Sequence, residues 1–447
     1  MGPPLRPSCG ETTQNRGMAP SASCRDPGRW RPETSDRPGE LMSTYDAREP
    51  DVARPMTRRP VVEPPRVDVA ATVEDALPLI GRAVGEIRAE RRLPANVEGA
   101  LGAAGVNRML LPARLGGLET PTALAMDVIE RIAAVDGSTA WCAVIGAGSN
   151  LFAGYLPEPG AREVFADPDR GTATMFAPLG TLDVVDDVLH LRGRWPFVSN
   201  CLHADWIGLV AVPTRKRDSR PRLVFAPADD LVIEDTWDTV GLSGTGSHHV
   251  SAHGVAVDPD HTCAFVGDAW PDAPLWRMPV FSVILPLLAA APLGIARGAL
   301  DEIARQTREG RAGVRRGDLA ADPLAMADYA AAESRLHAAR SGLLRLVRDA
   351  HDQVSSGGRL ERRQLARIYL ANLHATDTAV EVTAIAHRLG GGAAVGTDSP
   401  LLRALDDVLA ARQHYQFAND HRAPLGKVLA GLDVDYPPYI TSPSGAP

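Results

Sequence analysis

The sequence predicts an α+β chain that is mainly α. It reads as an N-terminal helical domain, a central antiparallel β-barrel-like domain and a C-terminal four-helix bundle. Three observations predict this order. Apolar residues recur at spacings of three and four after Thr72 and again from Pro279 to about Ala430, the period of helices with one buried face. Between about Gly171 and Val266 the pattern shortens to β-type runs separated by Gly, Pro, Asp and Asn. Hydrophobic residues make up 45% of the 447 positions but aromatics only 5%, and a core rich in Ala and Leu suits closely packed helices.

Residues 1–66 are rich in Pro, Arg, Gly, Ser and Thr. Such a segment buries too little surface to offset its ordering entropy and is expected to be disordered. Met42 and Met56 are alternative starts. The helical domain is expected over residues 67–170. Its pattern runs through 76–101 with a break at Pro94, through 101–111 to Pro112, and through 122–135. Residues 138–152 are almost uncharged and small, the mark of a helix buried on most sides. The β domain is expected over 171–275, with strands at 182–185, 188–191, 206–212, 223–226, 231–234 and 249–257. The bundle is expected over 276–447, with helices at 280–308, 323–355, 359–389 and 401–422.

The net charge of -8 gives no basic face for a phosphate backbone outside the Arg-rich tail. No nucleic-acid partner is expected. The five cysteines are scattered, without a CxxC pair, as in a reduced cytoplasmic protein. The apolar run 279–296 contains Pro286 and Pro292 and reads as a buried helix, not a membrane span. No P-loop, HExxH or GxSxG occurs. Gly241, Gly244 and Gly246 miss the third position of a dinucleotide fingerprint, as do Gly390 and Gly392. His248, His249 and His253 do not make a metal site, because neighbours on a strand point to opposite faces. No metal is expected.

Six segments, in order, carry a more specific signal: 105–117 (GVNRMLLPARLGG), 134–141 (AVDGSTAW), 193–206 (GRWPFVSNCLHADW), 236–247 (TWDTVGLSGTGS), 293–300 (LGIARGAL) and 399–414 (SPLLRALDDVLAARQH). With them the chain resembles the acyl-CoA dehydrogenase superfamily, and within it the two-component flavin-dependent monooxygenase (hydroxylase) branch. The resemblance implies a reduced flavin, FMN or FAD, supplied by a separate NAD(P)H-dependent reductase. It implies a C4a-hydroperoxyflavin acting on a small aromatic or natural-product substrate, and a homotetramer.

The resemblance also assigns residues. Ser199 would bond near flavin N5, and Trp195 would pack near the ring; without the resemblance Trp195 reads as a β-core residue and Ser199 as a turn residue. Phe176, Ala177 and Pro178 would line the pyrimidine end, where dehydrogenases usually carry a Glu-Pro-Gly type sequence. Arg403, Asp407 and His414 match the branch's Arg…Asp…His pattern on the helix lining the flavin, although Asp406 replaces an Arg often found there. His414 would be catalytic, titrating near neutrality; the competing reading is a satisfied histidine at a helix end. Trp141 would wall the substrate pocket or pack in the core, and His248 would line the cavity. Arg297 reads as an ion-pair residue. Many dehydrogenases place a catalytic Glu where this chain has Tyr415, and no Glu follows Val382; a second subgroup places that Glu on an earlier helix, so the absence weighs against dehydrogenation without excluding it. The alternatives are an acyl-CoA dehydrogenase-type desaturase, an amine N-oxygenase on the same scaffold and a flavin-free binding protein.

Overall fold

The computed structural model describes residues 67–214, 220–264, 269–310, 319–432 and 434. The expected disorder of residues 1–66 lies outside them.

Among the described residues, five helices come first: α1 (Val69–Glu90), α2 (Ala95–Ala103), α3 (Thr122–Val135), α4 (Gly137–Asn150) and α5 (Glu158–Val164). Asp136 both ends α3 and starts α4. Its Oδ2 accepts from the Thr139 backbone N–H and hydroxyl, each at 2.8 Å, the usual work of an N-cap carboxylate. Helix α4 is buried along nearly its whole length, as its small uncharged residues require.

Seven strands follow among the described residues: β1 (Ala173–Val185), β2 (Val188–Val198), β3 (Trp206–Pro213), β4 (Arg222–Pro227), β5 (Val232–Glu234), β6 (His248–Val257) and β7 (Thr262–Ala264). They form one sheet in the order β5-β6-β2-β1-β3-β4-β7. The expectation of a wholly antiparallel domain needs correction, because β1 and β3 run parallel and the sheet is mixed. The chain leaves β2 and crosses to the far side of β1 through residues 199–205. The near-continuous burial of β3 fits a central strand covered on both faces.

The short helix α6 (Pro274–Arg277) leads to α7 (Val280–Arg308), α8 (Pro323–Ser355), α9 (Arg362–Leu389), α10 (Pro400–Arg412) and α11 (Arg422–Leu429). The last expected helix is shorter than its pattern, ending at Arg412 rather than 422. Helix α7 is long and apolar enough to cross a membrane, but 94% of its most apolar window is buried inside the protein. It is the central core helix. Gly294 and Gly298 bring it against α3: a Cβ would stand 2.3 Å from the Glu130 carbonyl oxygen at the first and 2.2 Å from that of Ala134 at the second. One apolar core therefore runs through both helical regions, and a smaller one packs within the sheet. Arg297 pairs across to Glu333 of α8 at 2.7 Å, the ion pair expected of it.

Candidate active site between the sheet and the bundle

Two irregularities in the sheet shape one wall of the site. The β1–β3 register jumps from Met175↔Leu209 to Gly180↔Ala211, so residues 176–179 stand opposite Val210 alone. This wide bulge pushes Ala177 and Pro178 into partly open positions. Phe176 packs its ring toward the helices, 5.5 Å from Phe152 and 6.0 Å from Phe281 between ring centroids. The second irregularity lies on β2, where Trp195 pairs with Val250 and Val198 with His248. Pro196 and Phe197 thus share the single opposite position of His249. Proline has no N–H to give a ladder and is at home in a bulge.

The β2 bulge separates two aromatics that would otherwise share a face. Trp195 is fully buried, and its Nε1–H donates to the Val210 carbonyl at 2.9 Å. Its ring fills the space beside Gly180 and Gly193, where a Cβ would stand 2.1 Å and 2.7 Å from it. The indole thus bonds to Val210, the residue that faces the β1–β3 bulge. Burial and the bond to Val210 give Trp195 a place in the sheet core. Phe197 instead turns outward at φ 61° and is 60% exposed. It stands edge-on to His249 and Trp237.

Beyond the bulge, Ser199 enters a chain of hydroxyls. Its Oγ lies 2.7 Å from Ser247 Oγ, which lies 2.7 Å from Thr245 Oγ1, which donates to the Leu242 carbonyl at 2.8 Å. Trp141 of α4 donates its Nε1–H to Ser199 Oγ at 3.2 Å. The same indole stands 5.5 Å from the His414 ring in an edge-on arrangement. Three expected site residues from three parts of the chain thus meet around Trp141.

His414 is not on a helix. It follows the end of α10 and opens the 3-10 turn Tyr415–Phe417. Its Nδ1 accepts from the Gln416 N–H at 3.3 Å, which assigns the proton to Nε2. Half-buried beside Trp141 and Phe417, the imidazole is pushed down by desolvation to a pKa of about 4. The expectation of a group titrating near neutrality is therefore corrected: at neutral pH His414 is an uncharged Nε2–H donor.

Asp407 of α10 is buried, and its Oδ1 accepts from the Leu242 N–H at 2.7 Å. Desolvation, then the nearby Asp136, pushes its carboxyl up to about 7. It ties α10 to the loop that ends in Ser247. His248 turns inward, and its Nδ1 accepts from the N–H groups of Thr236 and Trp237 at 3.0 and 3.1 Å. It holds that turn, whereas His249, on the opposite side of the strand, is the one beside Phe197. Phe197, Thr245 and Ser247 were not singled out from sequence. The Pro between two aromatics in WPF and the alternating hydroxyls of TGS were the available signals.

Residues 287–419 match the family described as Acyl-CoA dehydrogenase, C-terminal domain. The indole-3-acetate monooxygenase of Pseudomonas putida is 35% identical over 335 residues, covering 74% of this chain and 85% of that protein. Among solved structures, the 3-HSA hydroxylase from Rhodococcus sp. RHA1 superimposes with a TM-score of 0.78 at 26% identity, covering 83% of this chain and 99% of that one. XiaF from Streptomyces sp., in complex with FADH2 and glycerol, gives 0.77 at 25% identity over 82% and 96%. The chain belongs to the flavin-dependent monooxygenases built on the acyl-CoA dehydrogenase scaffold. It is an oxidoreductase of the two-component kind, and its cofactor is a reduced flavin.

Proposed function

We propose that the chain places one oxygen atom of O2 on a small aromatic substrate, with reduced FMN or FAD delivered by a separate NAD(P)H-dependent reductase. The relative acting on indole-3-acetate supports a planar aromatic substrate. The three described cysteines, buried and unpaired, fit a cytoplasmic setting. A homotetramer follows by resemblance.

The observation that carries the reading is the meeting of Ser199, Trp141 and His414. The residues present fit a flavin. The bulge at residues 176–179 offers backbone beside the sheet, Phe197 offers an open aromatic face, and Ser199 offers a hydroxyl oxygen. The flavin supplies the two electrons that activate O2. His414, with its ring 5.5 Å from that of Trp141, carries an uncharged N–H, and its low pKa keeps it so above about pH 4. It positions and donates; it is a poor base at neutral pH. Trp141 and Phe417 form apolar neighbours of the imidazole that limit water.

A dehydrogenase needs a carboxylate free to take an acidic proton. Asp407 is turned to the Leu242 N–H, and Tyr415 stands 60% exposed where many dehydrogenases place a Glu. The geometry therefore favours oxygenation over desaturation.

The test supplies anaerobically reduced flavin, then 18O2, with a panel of indoles and phenols. One labelled oxygen per product is expected. Flavin reduction by an acyl-CoA, with no labelled product from any aromatic, would overturn the reading. The variant His414→Ala is expected to lose about a hundredfold or more in coupled product formation while still binding flavin. Unchanged coupling would remove His414 from its role.

A further inference from the structure

The three hydroxyls between Leu242 and Ser199 have a fixed direction. Thr245 Oγ1 lies 2.8 Å from the Leu242 carbonyl oxygen, which has no proton to give, so the Thr245 proton must point there. Each hydroxyl carries one proton. Ser247 must then donate to Thr245 across their 2.7 Å contact, and Ser199 must donate to Ser247 across theirs. Trp141 Nε1–H occupies one lone pair of Ser199 Oγ. What Ser199 has left is one lone pair and no proton. It can only accept.

We infer that Ser247 and Thr245 are positioning residues that hold Ser199 as a hydrogen-bond acceptor toward the site, and that this polarity makes the site prefer reduced over oxidised flavin. The inference rests on the reading above of a flavin whose N5 faces Ser199. Reduced flavin carries an N5–H donor; oxidised flavin offers only a lone pair at that atom. An acceptor facing a donor makes a bond, whereas two acceptors leave both unsatisfied. The chain is well protected from rearrangement. Thr245 and Ser247 are both buried, and the loop carrying them is fastened by the Leu242 N–H to Asp407. The near isostere Thr245→Val still leaves the Leu242 carbonyl a partner, because Trp237 Nε1–H also donates to it at 3.0 Å.

The test measures dissociation constants of the full chain for oxidised and, anaerobically, reduced FMN and FAD, together with the midpoint potential of the bound flavin. The parent should bind the reduced form about ten- to a hundredfold more tightly, the worth of one bond made against one denied. In Ser247→Ala the Ser199 proton is free to turn toward the site. In Thr245→Val the Ser247 proton is free to turn back toward Ser199. Either change should narrow the preference about tenfold and lower the midpoint potential by about 30 mV, the two-electron equivalent of that factor. A loosened scaffold would weaken both redox forms alike and leave their ratio and the potential unmoved, which would overturn the inference. If Ser247→Ala fails to fold, Thr245→Val gives the same reading. A parent that binds neither redox form would instead bring down the flavin reading itself.

Discussion

The two walls of the site are made in different ways. On the sheet side, position is fixed by hydrogen bonds in series. Trp195 holds the β1–β3 bulge through Val210, and Ser199 is the head of a chain that ends on the Leu242 carbonyl. On the bundle side, His414 stands in a break between α10 and α11 with one 3.3 Å bond from Gln416 and ring contacts to Trp141 and Phe417. There the surroundings fix the state of the group more than its place: desolvation keeps the imidazole neutral. The sheet wall sets the direction of a hydroxyl; the bundle wall sets the charge of a ring.

Trp195 and Phe197 give this contrast its sharpest mutational form, because they are two residues apart on one strand. Trp195→Ala is expected to cost about 3–5 kcal/mol, the range for removing a large buried aromatic. It also leaves the Val210 carbonyl without the indole. The bulge at residues 176–179 should then collapse, and flavin affinity should fall with stability. Phe197→Ala should change stability by less than about 0.5 kcal/mol, as is usual for an exposed side chain, while still weakening flavin binding. Urea unfolding and flavin titration of both variants check this. Equal stability losses would show that the bulge does not separate the two rings as described.

Much of the fold was legible because its signals are local and periodic. The expected helices 280–308 and 323–355 coincide with α7 and α8, since their apolar residues repeat over many turns. What failed were features decided by pairing at a distance. Nothing within β3 says that its neighbour runs parallel, and nothing local to 401–422 says that the helix stops at Arg412. There the chain is held by Arg412, whose Nη1 donates to the Phe417 carbonyl at 2.7 Å and whose Nε pairs with Asp377 on α9. For the site, Ser199, Trp141 and His414 could be named from motif and resemblance. Phe197 had no local signal of its outward turn, because the bulge that resets the strand's alternation at Pro196 is set by pairing with β6. The pKa of His414 was misjudged because desolvation depends on neighbours such as Trp141, which are remote in sequence.

The smallest effects test the bundle wall through pH, and two groups there work in opposite directions. His414 has a folded pKa of about 4 against an ordinary 6.5. Between those values the unfolded chain holds more protons, so stability is lost as pH falls through that window. Asp407 has a folded pKa of about 7 against an ordinary 3.8. Between those values the folded chain holds more protons, so stability is lost as pH rises. Each contributes a slope of at most about 1.4 kcal/mol per pH unit, and in the parent the two offset each other from about pH 4 to 6.5. Removing one should expose the other. Asp407→Asn, which keeps an oxygen for the Leu242 N–H, should make stability rise more steeply with pH between 4.5 and 6.5 than in the parent. His414→Asn should make it fall more steeply over the same interval. Denaturant midpoints taken at half-unit steps would show the two deviations with opposite sign. If both variants deviate in the same direction, desolvation does not set the charge of this wall, and the contrast with the hydrogen-bonded sheet wall is lost.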